Sequence, residues 1–278
     1  MAWYDPLPRP QFLTFPHELM ESSWYTVLKL PRNIFAICEP RHFQEVISFL
    51  ILGQTAAILW DTGMGISPIL PVVKKLTSLP LIVINSHSHF DHTGGNSAFP
   101  SVWGWESADS RLRAEQGWCP ESGDENFQPG AFAGDAVNVS AYHQMPYTLR
   151  PLTECQRFDL GGRLWEVLYA PGHSADSIVL FCEAEQFLCT GDTLYPGTLY
   201  AQEDPVGYAK TLRMLGSRFS HYTLLCSHNE PICTGDLLVS AQAAFEAMLQ
   251  GKTSPTPAEN GLWLHTWQDV PILSRISG

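Results

Sequence analysis

The sequence predicts a mixed α/β (α+β) fold in which two β-sheets pack face to face with helices on the outside. Short apolar runs rich in β-branched and aromatic residues recur between turn signals, which is typical of strands. Strands and helices also alternate, and each half of the chain repeats a plan of strands followed by a helix. Such an order favours sheets that are covered by helices. We expect residues 1–278 to form a single domain.

The first half of the chain begins with a proline-rich stretch. Four apolar runs follow it, and we expect an antiparallel meander of residues 25–30, 34–38, 45–52 and 55–60. Apolar positions at helical spacing predict a helix within residues 66–78 that begins near its prolines. Residues 81–84 are wholly apolar, as in a strand that is buried on both faces. A short strand at 102–105 and a helix at 108–116 come next.

Segment 117–150 has no strand or helix periodicity and mixes glycine and proline with aromatic residues. An irregular stretch of this length in a compact domain is commonly a functional lid. An ordered surface excursion without a role is the alternative. If the segment is a lid, Trp118, Phe127 and Phe132 would suit an acyl chain or another apolar part of a substrate.

The second half predicts five strands and two helices. Gly161-Gly162 is expected to turn a hairpin, and the strands are expected at residues 156–160, 163–170, 177–182, 186–189 and 222–226. Helices are predicted at 205–219 and 236–250. In the second of these an apolar stripe indicates core packing by Leu237, Leu238, Ala241, Ala244, Phe245 and Met248.

Composition and charge disfavour several classes of function. The formal net charge is −12, which argues against nucleic acid as a partner because phosphate groups attract Lys and Arg. Seven cysteines without a Cys-x-x-Cys pair favour the reducing cytoplasm over a compartment that builds disulfides. The N-terminus lacks a secretory signal pattern. The longest apolar stretch, residues 46–60, is broken by Gly53-Gln54, so no membrane span is expected.

Seven side chains that can bind a metal stand in short segments, most of which follow a predicted strand. They are His87, His89, Asp91, His92, His173, Asp192 and His228. We expect them to gather at one edge of the sheet core. Residues two apart in an extended segment point the same way, so His87 and His89 can bind one ion together. If a helix begins at Asp91, then Asp91 and His92 can address a second ion. Such ligands suit Zn²⁺, with Mn²⁺ or Fe²⁺ as alternatives.

Two glycines, Gly94 and Gly95, follow this cluster. We expect their missing side chains to let the backbone pass close to the ions. The remaining histidines stand outside any such context, and we expect them to be ordinary surface or core residues.

The pattern that runs from Asp61 through His228 resembles the metallo-β-lactamase-fold hydrolase superfamily, above all in its His-x-His-x-Asp-His core. The resemblance implies a four-layer αββα sandwich of two mixed sheets flanked by helices. It implies one ion held by His87, His89 and His173. It implies a second ion held by Asp91, His92 and His228, with Asp192 bridging both. Asp61 is similar to the family's carboxylate that orients a ligand histidine.

Some branches of this family fit the residues less well than others. True β-lactamases of this fold are usually exported and lack the bridging aspartate, so Asp192 argues against a β-lactam substrate. Family nucleases carry a large inserted domain for which the chain has no room. Iron persulfide dioxygenases use the same cluster with fewer protein ligands, which His92 and His228 disfavour. The chain is similar to glyoxalase II from Gly191 onward, but it lacks that enzyme's basic C-terminal glutathione-binding domain.

Two groups of carbonyl hydrolases remain. A tyrosine three positions after the bridging aspartate, here Tyr195, is also a feature of acyl-homoserine lactonases, in which the phenol helps to stabilise the carbonyl oxygen. A packed aromatic ring is the alternative for Tyr195. Residues 171–178 and 197–200 resemble family members that are reported as acyl-CoA thioesterases.

The resemblance therefore implies hydrolysis of a small-molecule thioester, ester or lactone by a hydroxide that bridges two divalent metal ions. Asp91 is expected to help the leaving group take a proton, and Tyr195 to stabilise the oxyanion. The alternatives are a mononuclear iron dioxygenase acting on a thiol compound, a β-lactam hydrolase, and a binding module with a structural metal. The sequence leaves open whether the protein forms a homodimer.

Overall fold

The computed structural model describes residues 4, 5, 7–134 and 141–277. The chain divides into two compact units. Unit 1 comprises Met1–Leu152 and Asp159–Arg163, and unit 2 comprises Thr153–Phe158 and Leu164–Gly278. The expectation of a single domain stays a prediction.

Unit 1 contains an eight-stranded mixed sheet whose strands follow one another in sequence order. The strands are β1 (His17–Glu18), β2 (Thr26–Leu30), β3 (Ile34–Cys38), β4 (Ile47–Leu52), β5 (Ala57–Trp60), β6 (Leu81–Ile84), β7 (Val102–Gly104) and β8 (Leu149–Pro151). Pairing is antiparallel from β1 to β5 and parallel from β5 to β8. The predicted meander is therefore confirmed, and the apolar strand β6 has a parallel neighbour on each side.

The α-helices among the described residues of unit 1 are α1 (Leu70–Leu76), α2 (Phe90–Thr93) and α3 (Ala108–Gln116). Pro71 lies in the first turn of α1, where its missing N–H breaks no helical hydrogen bond. Helix α3 begins at a capping box of Ser107 and Ser110. It ends at Gly117, whose φ of 71° is readily adopted by glycine. The core of the unit packs α1 on the sheet through residues that include Leu50, Leu59, Val72, Val73 and Val83.

Segment 117–150 is organised around an aromatic cluster in its described part. It contains two short 3-10 helices, Glu125–Phe127 and Pro129–Ala131. The side chains of Phe127 and Phe132 are buried in the cluster, and the acyl-chain contact expected of them stays a prediction. Trp118 is half-buried and stacks on Phe90, with ring centroids 4.8 Å apart. Residues 135–140 lie outside the described residues, and a lid role for the segment stays a prediction.

The second sheet has six strands in the order β15-β14-β12-β11-β10-β9. They are β9 (Arg157–Asp159), β10 (Leu164–Tyr169), β11 (Ile178–Cys182), β12 (Phe187–Gly191), β14 (Thr223–Cys226) and β15 (Cys233–Thr234). Strands β12 and β14 pair in parallel, whereas β10, β11 and β12 pair antiparallel. Helices α4 (Pro205–Phe219) and α5 (Asp236–Leu249) share one core with this sheet, and the predicted stripe of α5 lies in it.

A third, four-stranded sheet in unit 2 was not predicted. It contains β13 (Leu199–Ala201), β16 (Thr256–Pro257), β17 (Trp263–Trp267) and β18 (Val270–Ser274), in the order β13-β18-β17-β16. Leu199 pairs with Ile272, and a pairing over such a distance leaves no local periodicity. With its mixed sheets and flanking helices the chain confirms the predicted mixed α/β class. Among the described residues, no helix has both the length and the apolar character needed to cross a membrane.

Candidate metal centre

Four of the seven predicted ligands lie together in unit 1, with His87 and His89 in the turn between β6 and α2 and with Asp91 and His92 in α2 itself. His89 is extended, with φ of −64° and ψ of 155°, and α2 begins at the next residue. Asp91 and His92 therefore stand on helical backbone, as predicted. The ring centroid of His87 lies 4.5 Å from that of His89 and 4.3 Å from that of His92. Asp91 Oδ2 lies 3.6 Å from His92 Nε2, so the four side chains form one cluster.

Asp61 fixes the orientation of His92. Its side chain is fully buried at the end of β5, and its Oδ2 accepts a hydrogen bond from His92 Nδ1 at 2.9 Å. A hydrogen on Nδ1 leaves the lone pair of Nε2 available to a metal ion. The contact agrees with the role that the resemblance implied for Asp61.

Ser86 extends this control to His87, and sequence reasoning missed it. The Ser86 hydroxyl donates to Asp61 Oδ2 at 2.9 Å and also lies 3.0 Å from His87 Nδ1. Since the hydroxyl has a single hydrogen, it accepts from His87 Nδ1–H, and His87 Nε2 is left as the metal-facing nitrogen. Asp61 thus sets the tautomers of two imidazoles. Nothing in the sequence marks Ser86 beyond its place before the cluster.

The turn that carries Asp61 is supported by Glu39, a second residue that the sequence did not indicate. Glu39 is buried, its Oε1 accepts from Met64 N at 2.9 Å, and its Oε2 accepts from Trp24 Nε1 at 2.5 Å. Burial raises the pKa of this carboxyl to about 7, although the two hydrogen bonds partly oppose the shift. Gly63 has a φ of +68°, and a Cβ at this position would lie 1.9 Å from Glu39 Oε1.

The close approach at Gly94 has a different reason from the predicted one. A Cβ on Gly94 would lie 2.1 Å from the carbonyl carbon and oxygen of Met64. Gly94 N donates to Gly63 O at 2.8 Å. The missing side chain therefore lets the backbone after α2 pack on the turn that carries Asp61, so Gly94 serves backbone packing.

The other three predicted ligands lie together in unit 2, each in a turn that follows a strand. His173 follows β10, Asp192 follows β12, and His228 follows β14. Asp192 Oδ2 lies 3.5 Å from His173 Nε2, and Asp192 Oδ1 lies 3.0 Å from His228 Nε2. The two oxygens of one carboxylate therefore face two different imidazoles. All three side chains are less than a tenth exposed.

Tyr195 lies beside His228, with ring centroids 4.9 Å apart. Its side chain is buried, and its hydroxyl donates to Thr198 O at 2.6 Å. The phenol would have to leave this carbonyl before it could donate to a substrate. A catalytic role for Tyr195 stays a prediction.

The remaining histidines make ordinary contacts where the structure describes them. His42 and His265 are buried and hydrogen-bond the backbone carbonyls of Asn126 and Ile276. All seven cysteines lie among the described residues, and they are thiols rather than disulfides.

The two clusters fit divalent metal ions by the chemistry of their donors. Each combines imidazole nitrogen with carboxylate oxygen and contains no thiolate, which suits borderline ions such as Zn²⁺. Asp91 and His92 offer donor atoms within 4.8 Å of each other, and so do Asp192 and His228. His/Asp clusters of this kind, buried except for His89, indicate a divalent metal site.

Comparison with known proteins agrees with this geometry. A sequence model of the metallo-beta-lactamase superfamily matches residues 44–223, well over half of the chain. Human acyl-coenzyme A thioesterase MBLAC2 is 27% identical over 203 residues, which cover 64% of this chain and 69% of that protein. Hydroxyacylglutathione hydrolase from Mesorhizobium japonicum is 24% identical over 220 residues, which cover 78% of this chain and 74% of that protein.

A solved structure shares the fold. A metallo-beta-lactamase family protein from Thermus thermophilus aligns with a TM-score of 0.61 and 19% identity, over 82% of this chain and 85% of its own. At this identity the likeness shows the fold alone. The superfamily match, however, spans Asp61 and six of the seven predicted ligands. The chain therefore belongs to the metallo-beta-lactamase superfamily and is a metallo-hydrolase.

Proposed function

We propose that this protein is a dinuclear metal-dependent hydrolase of a small carbonyl substrate, with a thioester favoured over an ester or a lactone. The observation that carries the proposal is the pair of His/Asp clusters, buried except for His89. One stands in the turn after β6 and in α2, and the other in the turns that follow β10, β12 and β14. The thioester preference is supported by two relatives, which are named for hydrolysis of acyl derivatives of coenzyme A and of glutathione. In both derivatives the acyl group is carried on sulfur.

We assign the ligands to two ions, most simply Zn²⁺. One ion would be held by His87, His89 and His173. The second would be held by Asp91, His92 and His228, with Asp192 bridging the two. The bridging role is supported by the geometry of Asp192, because its two oxygens face His173 and His228 separately. When bound, two divalent ions supply an activated water and polarise the substrate carbonyl.

The chain's own residues would then orient groups and move protons. Asp61 and Ser86 keep the Nε2 atoms of His87 and His92 deprotonated. Asp91 Oδ2 would hold the proton that the attacking water releases and pass it to the leaving group. Tyr195 would turn from Thr198 and donate to the carbonyl oxygen as negative charge develops there.

The deciding experiment measures metal content and turnover on the same preparation. Protein purified without chelator is analysed by inductively coupled plasma mass spectrometry and assayed on a thioester, an ester, a lactone and a β-lactam. We expect two zinc or manganese ions per chain and thioester turnover that EDTA abolishes. One iron ion with oxygen uptake and no hydrolysis would replace the proposal with the thiol dioxygenase.

Substitution of the bridging residue makes the same test specific. Asp192→Asn should lower both metal content and turnover, because an amide cannot bridge two cations as a carboxylate does. The matched control is Asp236→Asn, an exposed carboxylate in the first turn of α5 of the same unit. If chelation unfolds the protein and a metal-loaded preparation hydrolyses none of the four substrates, the site is structural and the proposal fails.

A further inference from the structure

Two side chains of α4 contact the turns that carry Asp192 and His173. The helix begins after Asp204, whose side chain accepts a hydrogen bond from Gly207 N at 2.8 Å. Tyr208 and Thr211 stand three residues apart, so they lie on the same face of the helix. Both are buried. Neither has a part in the proposed chemistry or in the proposed ligand set.

Tyr208 is bonded to the turn of Asp192. Its hydroxyl donates to Thr193 O at 2.8 Å and lies 3.1 Å from Asp192 O. These carbonyls belong to the two residues that follow β12, where Gly191 has a φ of +52°. A single hydroxyl therefore restrains two successive peptide units, and with them the direction in which the Asp192 side chain projects.

The same face of α4 is bonded to the turn of His173. Thr211 Oγ1 donates to Pro171 O at 2.6 Å. Gly172 lies so close to Tyr208 that a Cβ on Gly172 would come within 2.5 Å of the tyrosine ring. Pro171 and Gly172 are the two residues that lead into His173. Two of the three ligand-bearing turns of unit 2 are thus fixed to neighbouring positions on one face of α4.

We propose that Tyr208 and Thr211 are positioning residues of the metal centre, which hold Asp192 and His173 in the orientation that binds metal. The inference rests on the proposed function, because it takes these two residues as ligands. The residues that orient ligands are a large part of a metal site's affinity, since a ligand that is already in place loses no freedom on binding. A rigid 15-residue helix is well suited to this role.

Conservative variants separate positioning from packing. Tyr208→Phe keeps the ring that packs on Gly172 and removes the hydroxyl. We expect its affinity for Zn²⁺, measured by competition with a chromophoric chelator, to fall about tenfold for both ions, since Asp192 is proposed to bridge them. Thr211→Val should weaken only the ion that His173 holds, and Thr211→Ser should restore it. The matched control is Tyr222→Phe, a buried tyrosine of unit 2 whose hydroxyl bonds Glu183 and which should leave both affinities unchanged.

The outcomes distinguish this inference from the proposed function. If the wild-type protein binds two zinc ions and Tyr208→Phe binds them equally tightly, while only its thermal stability falls, the hydroxyl is structural and the inference is overturned. If the wild-type protein binds neither zinc nor manganese, the proposed function fails and the inference fails with it. Should Tyr208→Phe not fold, the difference between Thr211→Val and Thr211→Ser decides, and equal affinities would overturn the inference.

Discussion

Substitution of Asp61 by asparagine should disable His92 as a ligand while leaving the backbone of the site unchanged. Asp61 has a φ of 62°, and asparagine tolerates this left-handed conformation better than most residues. The variant therefore keeps the shape of the turn. The substitution changes the atom that faces His92 Nδ1. An amide NH₂ group can replace Asp61 Oδ2, which accepts a hydrogen bond from His92 Nδ1 at 2.9 Å.

The magnitude follows from the three hydrogen bonds that Asp61 accepts. Ser86 N donates to Oδ1 at 2.7 Å, and the Ser86 hydroxyl and His92 Nδ1 donate to Oδ2. The amide oxygen of asparagine can keep the first of these bonds. The amide NH₂ then meets His92 Nδ1, which must give up its hydrogen to accept, so the hydrogen moves to Nε2 and blocks the metal-facing nitrogen. We expect a loss of about 10–100-fold in affinity for the ion that His92 holds.

Loss of the charge also lowers stability. A hydrogen bond to a charged group contributes about 2 kcal/mol, so the free energy of unfolding in urea should fall by roughly that amount for the metal-free protein. The affinity is measured by zinc competition, and the tautomer by ¹⁵N chemical shifts of histidine-labelled protein. Asp236→Asn is the control for removal of one carboxylate. Wild-type affinity for both ions in Asp61→Asn, together with an unchanged Nδ1–H tautomer at His92, would refute the reasoning.

Three further predictions concern other parts of the site. Tyr195→Phe should lower kcat about a hundredfold with little change in KM if the phenol stabilises the oxyanion; a change in thermal stability alone would mean a packed ring. Gly94→Ala should destabilise the protein by about 3 kcal/mol in urea, since its Cβ meets the backbone of Met64; a loss below about 1 kcal/mol would contradict this packing. For Glu39, whose folded pKa of about 7 lies above its unfolded value, the stability it contributes is present below about pH 4 and is lost as the pH rises through 7. That loss is about 3 kcal/mol. In urea titrations of the metal-free Glu39→Gln variant, the free energy of unfolding should therefore depend less on pH between about pH 4 and 8 than in the wild-type protein. An unchanged pH dependence would mean that other groups cause it.

Local signals in the sequence were sufficient for most of the elements. The bounds of α3 and α4 agree with prediction because Ser107 caps one helix and Pro205 begins the other. Alternation and turn residues located most strands of both larger sheets within a few residues, whereas the short strands β1, β8 and β15 were not predicted. In the sheet of β13, β16, β17 and β18, only β13 pairs with a strand that is distant in sequence. The pairings of β16 with β17 and of β17 with β18 are local, and the sequence analysis missed them.

The candidate ligands were also predictable, but the residues that support them were not. His87, His89, Asp91 and His92 stand within six positions, and the change from extended to helical backbone between them is a local property. The partners of Glu39 lie 15 and 25 residues away, and those of Tyr208 lie 15 and 16 residues away. Tyr208 sits in an amphipathic helix, where a buried aromatic residue is the ordinary case. The role of its hydroxyl therefore cannot be predicted from the sequence, because it depends on the contact with the turn of Asp192.

The two units support their ligands in different ways, and the difference has a consequence for how each support should fail. In unit 1, Asp61 acts on the imidazole itself and determines which nitrogen carries the hydrogen. In unit 2, Tyr208 acts on the backbone and determines where a carboxylate points. Loss of the first support should thus change imidazole tautomers, directly at His92 and through Ser86 at His87, and weaken the ions that these two ligands hold. Loss of the second should leave every tautomer unchanged and weaken both ions, because Asp192 is the ligand proposed to join them.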